Sequence, residues 1–246
     1  MGSPAGSLQL LRFDLPEAGV RRLRIIFSKG EEVRYISHLD TMRTWERIFR
    51  RAGVGLAYSQ GFAPHPRLVF AAPLAVGVTS TAEILDVYME EVADLASLRQ
   101  RVAAALPPGI GILDAEELAP RGPAVMAQVE RAEYLLELTT QLTLEQAQQL
   151  VASALAAASI PYQRTRSGAT RLSDLRPVLD ALAIERWEEE AKTLRMCLRL
   201  DREGEAARPD EVLGALSPAW RALRTHRTCL ILKEGASAEA RLHVAA

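Results

Sequence analysis

The chain has 246 residues, of which 48% are hydrophobic and 25% charged, and its formal net charge is −1. That length holds one large or two small domains with a full core, and the even charge balance excludes a uniformly basic nucleic-acid binder. Cys197 and Cys229 are the only cysteines, too few for a secreted disulfide framework; no apolar run reaches the roughly eighteen residues of a membrane span, so a cytoplasmic location is expected.

Residues 1–20 read as a flexible N-terminal arm. Met1 to Ser7 is built of small residues, as in a disordered arm or a cloning scar, and lacks the charged-then-apolar pattern of a signal peptide. Arg22 to Phe27 predicts a strand with Leu23, Ile25 and Phe27 on one face, and Val33 to Ile36 continues it after the Lys29-Gly30 turn. Ser37 is an N-cap with Asp40 three residues on. A helix to about Arg51 follows, its apolar stripe formed by Leu39, Met42, Ile48 and Phe49 with Trp45 beside them. Arg43, Arg47, Arg50 and Arg51 share the other side.

Ala52-Gly53 ends that helix, and the stretch from Tyr58 to Arg67 is too rich in Gly and Pro for regular structure. Leu68 to Ala71 and Glu83 to Glu90 read as strands separated by a loop, Leu95 to Leu106 as a helix, and Ile110 to Ala115 as a strand. The order is that of a split βαβ, or ferredoxin-like, lobe over residues 21–120. Pro120 to Pro123 signals a linker. A second round then begins: strand Ala132 to Thr139, a Thr143-capped helix with Gln146 at its third position, strands Tyr162 to Thr165, Leu179 to Trp187 and Leu194 to Leu200, helix Pro209 to Leu216 and strand Ala222 to Leu232. The expectation is therefore an α+β protein of two tandem ferredoxin-like lobes, the second over 130–235, with a tail at 236–246.

Charge is uneven along this plan. Between Arg21 and Arg51 the basic residues are Arg21, Arg22, Arg24, Lys29, Arg34, Arg43, Arg47, Arg50 and Arg51, against Glu31, Glu32, Asp40 and Glu46. Such a dipolar surface steers an anion to one face, although charge also fluctuates along any chain.

Few residues carry obvious chemistry. The two cysteines lie in apolar strand contexts, as small core residues do, and there is no P-loop and no dinucleotide fingerprint. His38 falls in the first turn of the Ser37 helix, where free N–H groups attract anions. His65 lies between two prolines, His226 lies on the last strand, and His243 lies in the tail. His38 and His65 are the candidates for proton transfer. The 58–67 loop joins Tyr58, Gln60, Phe62, His65 and Arg67; aromatics with arginine suit unstacked bases and phosphates, and the prolines lower the entropy lost on binding. The same loop could instead be held in shape by Gly61 and its prolines, with Phe62 filling the core. A second basic group, Arg164, Arg166, Arg171 and Arg176, surrounds a turn at Gly168, and Arg221, Arg224 and Arg227 follow near the end. It fits a hairpin reaching toward a polyanion, or solvated strand edges guarded by charge.

Several of these segments carry a family resemblance. Arg24 to Lys29, the Tyr35-Ile36-Ser37-His38-Leu39-Asp40 run, the Tyr58 to Arg67 loop, Pro73 to Val78, Asp174 to Pro177, Ala207 to Val212 and His226-Arg227-Thr228 resemble the radical SAM-linked protein family, a DUF2344-like domain of unknown function. Ala63 departs from it, since the family often has asparagine there. The resemblance implies an accessory partner to a radical SAM enzyme, with RNA nearby. This chain has no three-cysteine cluster motif, so the iron–sulfur cluster and S-adenosylmethionine would belong to the partner and no cofactor to this chain. The reading is a non-catalytic module that binds RNA, tRNA or rRNA, through Ser37, His38, Arg43, Arg47, Arg50, Tyr58, Gln60, Phe62, His65, Arg67, Arg166, Arg176, His226 and Arg227. A metal-independent endoribonuclease using His38 or His65, and a protein-only adaptor, are the alternatives.

Overall fold

The computed structural model describes residues 19–60, 62–90, 94–166, 169–200 and 207–233. In chain order the elements are β1 (Arg21–Lys29), a 3-10 turn (Glu31–Val33), α1 (His38–Arg51), β2 (Leu68–Phe70), β3 (Val78–Met89), α2 (Leu95–Ala104), β4 (Ile110–Leu118) and α3 (Val125–Gln128). Then come β5 (Val129–Thr139), α4 (Leu144–Ala156), β6 (Pro161–Arg166), β7 (Ala169–Asp174), β8 (Leu179–Trp187), β9 (Lys192–Arg199), α5 (Pro209–Leu216) and β10 (Arg221–Leu232).

Eight strands form one mixed sheet in the order β4-β1-β3-β10-β5-β9-β8, with β2 also paired to β3; β6 and β7 form a separate hairpin. The expected extension of β1 through Val33 to Ile36 is a 3-10 turn followed by a bend; the Gly30 N–H bond to Gly109 O at 2.7 Å is the last rung that the chain shares with the approach to β4. β3 is longer than its β propensity suggests. It begins at Val78, inside the expected loop, because Val78, Thr79 and Ser80 pair in parallel with Thr225, His226 and Arg227 of β10. All other pairings are antiparallel.

β3 feeds two cores because successive strand side chains face opposite sides. Leu85 and Val87 join Leu23, Ile25, Phe27 and the inner face of α1, whereas Ile84 joins Val125, Val129 and Leu230 in the second core. In the first core Phe27 meets Trp45 edge-on at 5.0 Å and Phe70 at 6.0 Å. Aromatic pairs of this kind add about 0.5–1.5 kcal/mol beyond area burial, and here they fix α1 across β1 and β2. The helix starts are set locally: Thr143 and Gln146 close a capping box on α4, and Asp94 caps α2.

On the Ile84 side of β3 lies a buried charge group. Asp86, fully buried, takes Arg24 Nε at 2.8 Å and Arg22 Nη2 at 2.5 Å. Arg22 also donates to Pro123 O at 2.9 Å, which ties down the segment joining β4 to β5. Alternation with Leu23 and Ile25 marks Arg22 and Arg24 as a polar face, but that face is covered rather than solvated. Asp86→Ala leaves two buried guanidinium groups without an anion; breaking buried pairs costs about 3–5 kcal/mol, so the urea midpoint is expected to fall by that equivalent. A loss below about 1 kcal/mol would show that water reaches both arginines.

Candidate functional site

α1 buries Thr41, Trp45, Ile48 and Phe49, and its period leaves Arg43, Arg47, Arg50 and Arg51 exposed on the opposite side. Arg43 approaches Asp40 at 3.5 Å and Arg47 donates to the Thr44 hydroxyl at 3.0 Å. Contacts this exposed hold little energy, so the guanidinium groups can exchange them for other anions. The remaining cations of the Arg21–Arg51 excess are paired or buried, Arg21 and Arg34 in exposed pairs. Arg21 pairs with Glu117, Arg34 with Glu31, Arg22 and Arg24 with Asp86, and Lys29 is buried. Ser37 is a cap: its Oγ accepts from Asp40 N–H at 3.1 Å and donates to Asp40 Oδ2 at 2.7 Å. That hydrogen bond holds the Asp40 carboxyl below the usual carboxylate range.

The chain leaves α1 through Gly53, at φ +64, a left-handed angle that glycine adopts without strain. It then runs beside the far end of β3. Ala57 N–H bonds Tyr88 O at 2.9 Å, Tyr88 N–H bonds Arg67 O at 3.0 Å, and Arg67 N–H bonds Ala57 O at 2.8 Å. Ser59 N–H reaches His65 O at 2.8 Å and the Ser59 hydroxyl accepts from His65 N–H at 3.0 Å. The neck of the 58–67 loop is therefore pinned by backbone pairing. Tyr58, Gln60, Phe62 and His65 are exposed, Phe62 wholly so; the expectation that Phe62 could fill the core is corrected, because the pinned neck turns it outward. Gly61 lies outside the described residues. Arg67 is less available than its neighbours, stacked 4.0 Å over the Tyr88 ring.

His38 and His65 do not flank one cleft. His38 opens α1 and meets Phe70 edge-on at 5.2 Å, whereas His65 belongs to the loop that follows the helix's other end and pairs beside Tyr88. α1 has fourteen residues, so about 21 Å of helix separates its two ends.

The His38 end instead adjoins a cluster that periodicity conceals. Arg227, 2% exposed, grips Glu83, 3% exposed, through both Nε and Nη2, with Nε at 2.8 Å from Oε1. It also donates to Ala72 O at 3.1 Å. Lys29, equally buried, donates to the carbonyls of Arg34 and Ile36, each at 3.3 Å. Phe27, Lys29, His38, Thr41 and Glu83 enclose a void of about 10 Å³. Arg227 is held charged, since burial alone would lower its pKa but Glu83 and Tyr134 more than offset that. Burial lowers the pKa of Lys29 and of His38. His226, on the same strand as Arg227, is clasped by two hydroxyls, Thr79 at 2.8 Å from Nδ1 and Thr81 at Nε2; burial lowers its pKa too. Lys29, Glu83 and the two threonines were not singled out by the sequence. For the three on β3, the local hint is the polar run Thr79 to Thr81 followed by Glu83.

Arg227 and Arg176 are thus tied inside the fold rather than presented to an external polyanion. Arg176 donates to Leu179 O at 2.7 Å and Leu155 O at 3.0 Å, which fastens the base of the β6–β7 hairpin. Arg166 ends β6, and Arg164 stands opposite Arg171 in the ladder. His243 lies outside the described residues. The cysteines flank one residue: Glu133 of β5 pairs with Cys197 on one side and Cys229 on the other. Two strand spacings separate them, about 10 Å, beyond disulfide reach, and both are free. Burial pushes the Cys197 thiol up to about 12 and the Cys229 thiol up to about 11.

The fold and these sites define an α+β protein built on one large mixed sheet, and no helix among the described residues is long and apolar enough to cross a membrane. The chain belongs to an uncharacterized protein family conserved in bacteria (DUF2344), whose model matches residues 22–209. No curated protein matches it. Among solved structures it is distantly similar to a Cbf5–Nop10–Gar1 complex, with TM-score 0.48 and 9% identity over 85% of this chain and 48% of that chain. An archaeal box H/ACA sRNP Nop10–Cbf5 complex gives TM-score 0.41 and 8% identity over 84% of this chain and 46% of that chain. An H/ACA RNP bound to a substrate RNA gives 0.43 and 10%, over 85% and 47%. The chain spans about half the length of these three chains.

The half-buried imidazoles have a consequence for pH. Burial lowers the pKa of both, so the unfolded chain binds protons more readily. Stability is therefore full above the unfolded histidine pKa of about 6.5 and declines as pH falls below it toward the lowered folded values. Urea midpoints measured from pH 8 down to pH 5, about 1.5 units to either side of that value, should drop on the acid side. The drop should shrink in the His38→Gln, His226→Gln double variant; an unchanged slope would assign it to carboxylates.

Proposed function

We propose that this protein is a non-catalytic cytoplasmic RNA-binding module that acts beside a radical SAM enzyme. The observation that carries the RNA reading is the exposed stripe Arg43, Arg47, Arg50 and Arg51 leading directly into the pinned loop of Tyr58, Gln60, Phe62 and His65. Cations that track phosphates and aromatics that stack on bases are the two components of single-strand recognition. The anchored neck supports this reading, since a loop already shaped loses less entropy on binding. We read each half as a ferredoxin-like unit, supported by the strand orders β4-β1-β3-β2 and β10-β5-β9-β8. The radical SAM partner rests on the family resemblance. An exposed apolar group suits a protein contact of that kind: Tyr35, Leu39 and Val76 are 70%, 63% and 58% exposed, and Gly77 N–H holds Arg34 O at 2.8 Å, which brings their segments together. The endoribonuclease alternative is weakened, because its two histidines lie at opposite ends of α1.

Binding is measured by fluorescence anisotropy with labelled single-stranded RNA over a salt series. Affinity should fall steeply with salt, and the Arg43, Arg47, Arg50→Ala triple variant should flatten the log–log slope by about 2, near 0.7 per phosphate contact. Phe62→Ala should cost about 1–3 kcal/mol, the worth of one stacked base, at unchanged slope. No measurable affinity at low salt removes the RNA reading. Co-purification with a radical SAM enzyme that survives nuclease then leaves the protein adaptor.

A further inference from the structure

A cavity of about 460 Å³ opens where the loop before β3 meets the start of α5, a volume typical of small-molecule sites, which run to about 300–1,000 Å³. Its room comes from small side chains, Ala71, Ala72, Ala75 and Ala207, where larger ones would meet. Among the described lining residues the polar groups are Tyr134, Arg208 and Arg227, two of them guanidinium groups. Arg227 and Tyr134 are buried. Arg208 stands at the mouth, 57% exposed, held by Asp210 and Glu211 at 3.8 and 3.6 Å. Glu83 offsets Arg227 from the far side, facing the small void beside Lys29 and His38 instead. Lys29 adds a second buried cation against that single carboxylate.

We propose that this cavity binds a small amphipathic organic anion, with its hydrocarbon or aromatic body among the alanines and its acidic group toward the guanidinium side. The site is separate from the α1 and loop face and does not depend on RNA binding. An apolar hollow alone would take any greasy solute; the guanidinium groups are what select an acid.

The full chain is titrated with 1-anilinonaphthalene-8-sulfonate, an aromatic sulfonate that fluoresces when sheltered from water, and then challenged with decanoate or decanol. The expected result is one saturable site from which decanoate displaces the dye at about tenfold lower concentration than decanol. Arg208→Glu, at the exposed mouth, should erase that preference. Ala75→Trp, also at an exposed position, should weaken both competitors and the dye by about tenfold or more. Thermal melts by circular dichroism confirm that both variants remain folded. Non-saturating fluorescence, equal displacement by acid and alcohol, or indifference to both substitutions overturns the proposal.

Discussion

The two halves of the molecule share one sheet because β10, the last strand, returns to lie beside β3. That junction is a short parallel ladder of Thr225, His226 and Arg227 against Val78, Thr79 and Ser80. Parallel ladders are slightly less stable per residue than antiparallel ones, and this one is reinforced by side chains. Arg227 crosses it to Glu83, the Ser80 hydroxyl reaches Arg227 O at 3.0 Å, and Thr79 and Thr81 clasp His226. An Arg–carboxylate fork buried from water is directional and costly to leave half-made. It specifies the pairing more sharply than apolar packing would, and it places the loop before β3 against the second half.

The protein's cations fall into two populations with different jobs. Arg22, Arg24, Lys29, Arg176 and Arg227 donate to buried carboxylates or to carbonyls, and Arg22, Arg24 and Arg227 join elements that lie far apart in sequence. Arg43, Arg47, Arg50 and Arg51 lie on the outer side of one helix and hold only weak local contacts. A net charge of −1 is therefore compatible with a cationic face, because much of the positive charge is consumed inside. Solvent exposure decides which arginines remain available, and exposure follows from the sheet and helix faces rather than from composition.

α1 organises both ends of the first half. Its N-terminus, capped by Ser37, sets His38 against Phe70 near the buried Lys29 and Glu83. Its C-terminus leads through Gly53 into the pinned loop, and Arg101 of α2 holds Ala52 O at 2.7 Å. The aromatic contacts of Trp45 with Phe27 and of His38 with Phe70 keep the helix from sliding between these attachments. The sheltered cluster and the exposed loop are consequently separate environments, one of low dielectric that lowers the pKa of Lys29 and His38 and one open to solvent and to large ligands.

Local signals in the chain were enough for most of the elements. Ser37 and Thr143 announce helices that begin where their hydroxyls cap, Gly53 ends α1, and the period of Trp45, Ile48 and Phe49 assigns the outward arginines of that helix. These rest on contacts within a few residues, which the order of amino acids alone specifies. Tertiary structure decided the rest. Whether Arg22 and Arg24 meet water or Asp86, whether Val78 begins a strand, and whether His38 and His65 share a cleft all depend on partners from about 25 to nearly 150 residues away, whose strand register no local period encodes. The cavity beside Arg227 is likewise a product of long-range pairing, since its small residues line a common space only after β10 has closed on β3.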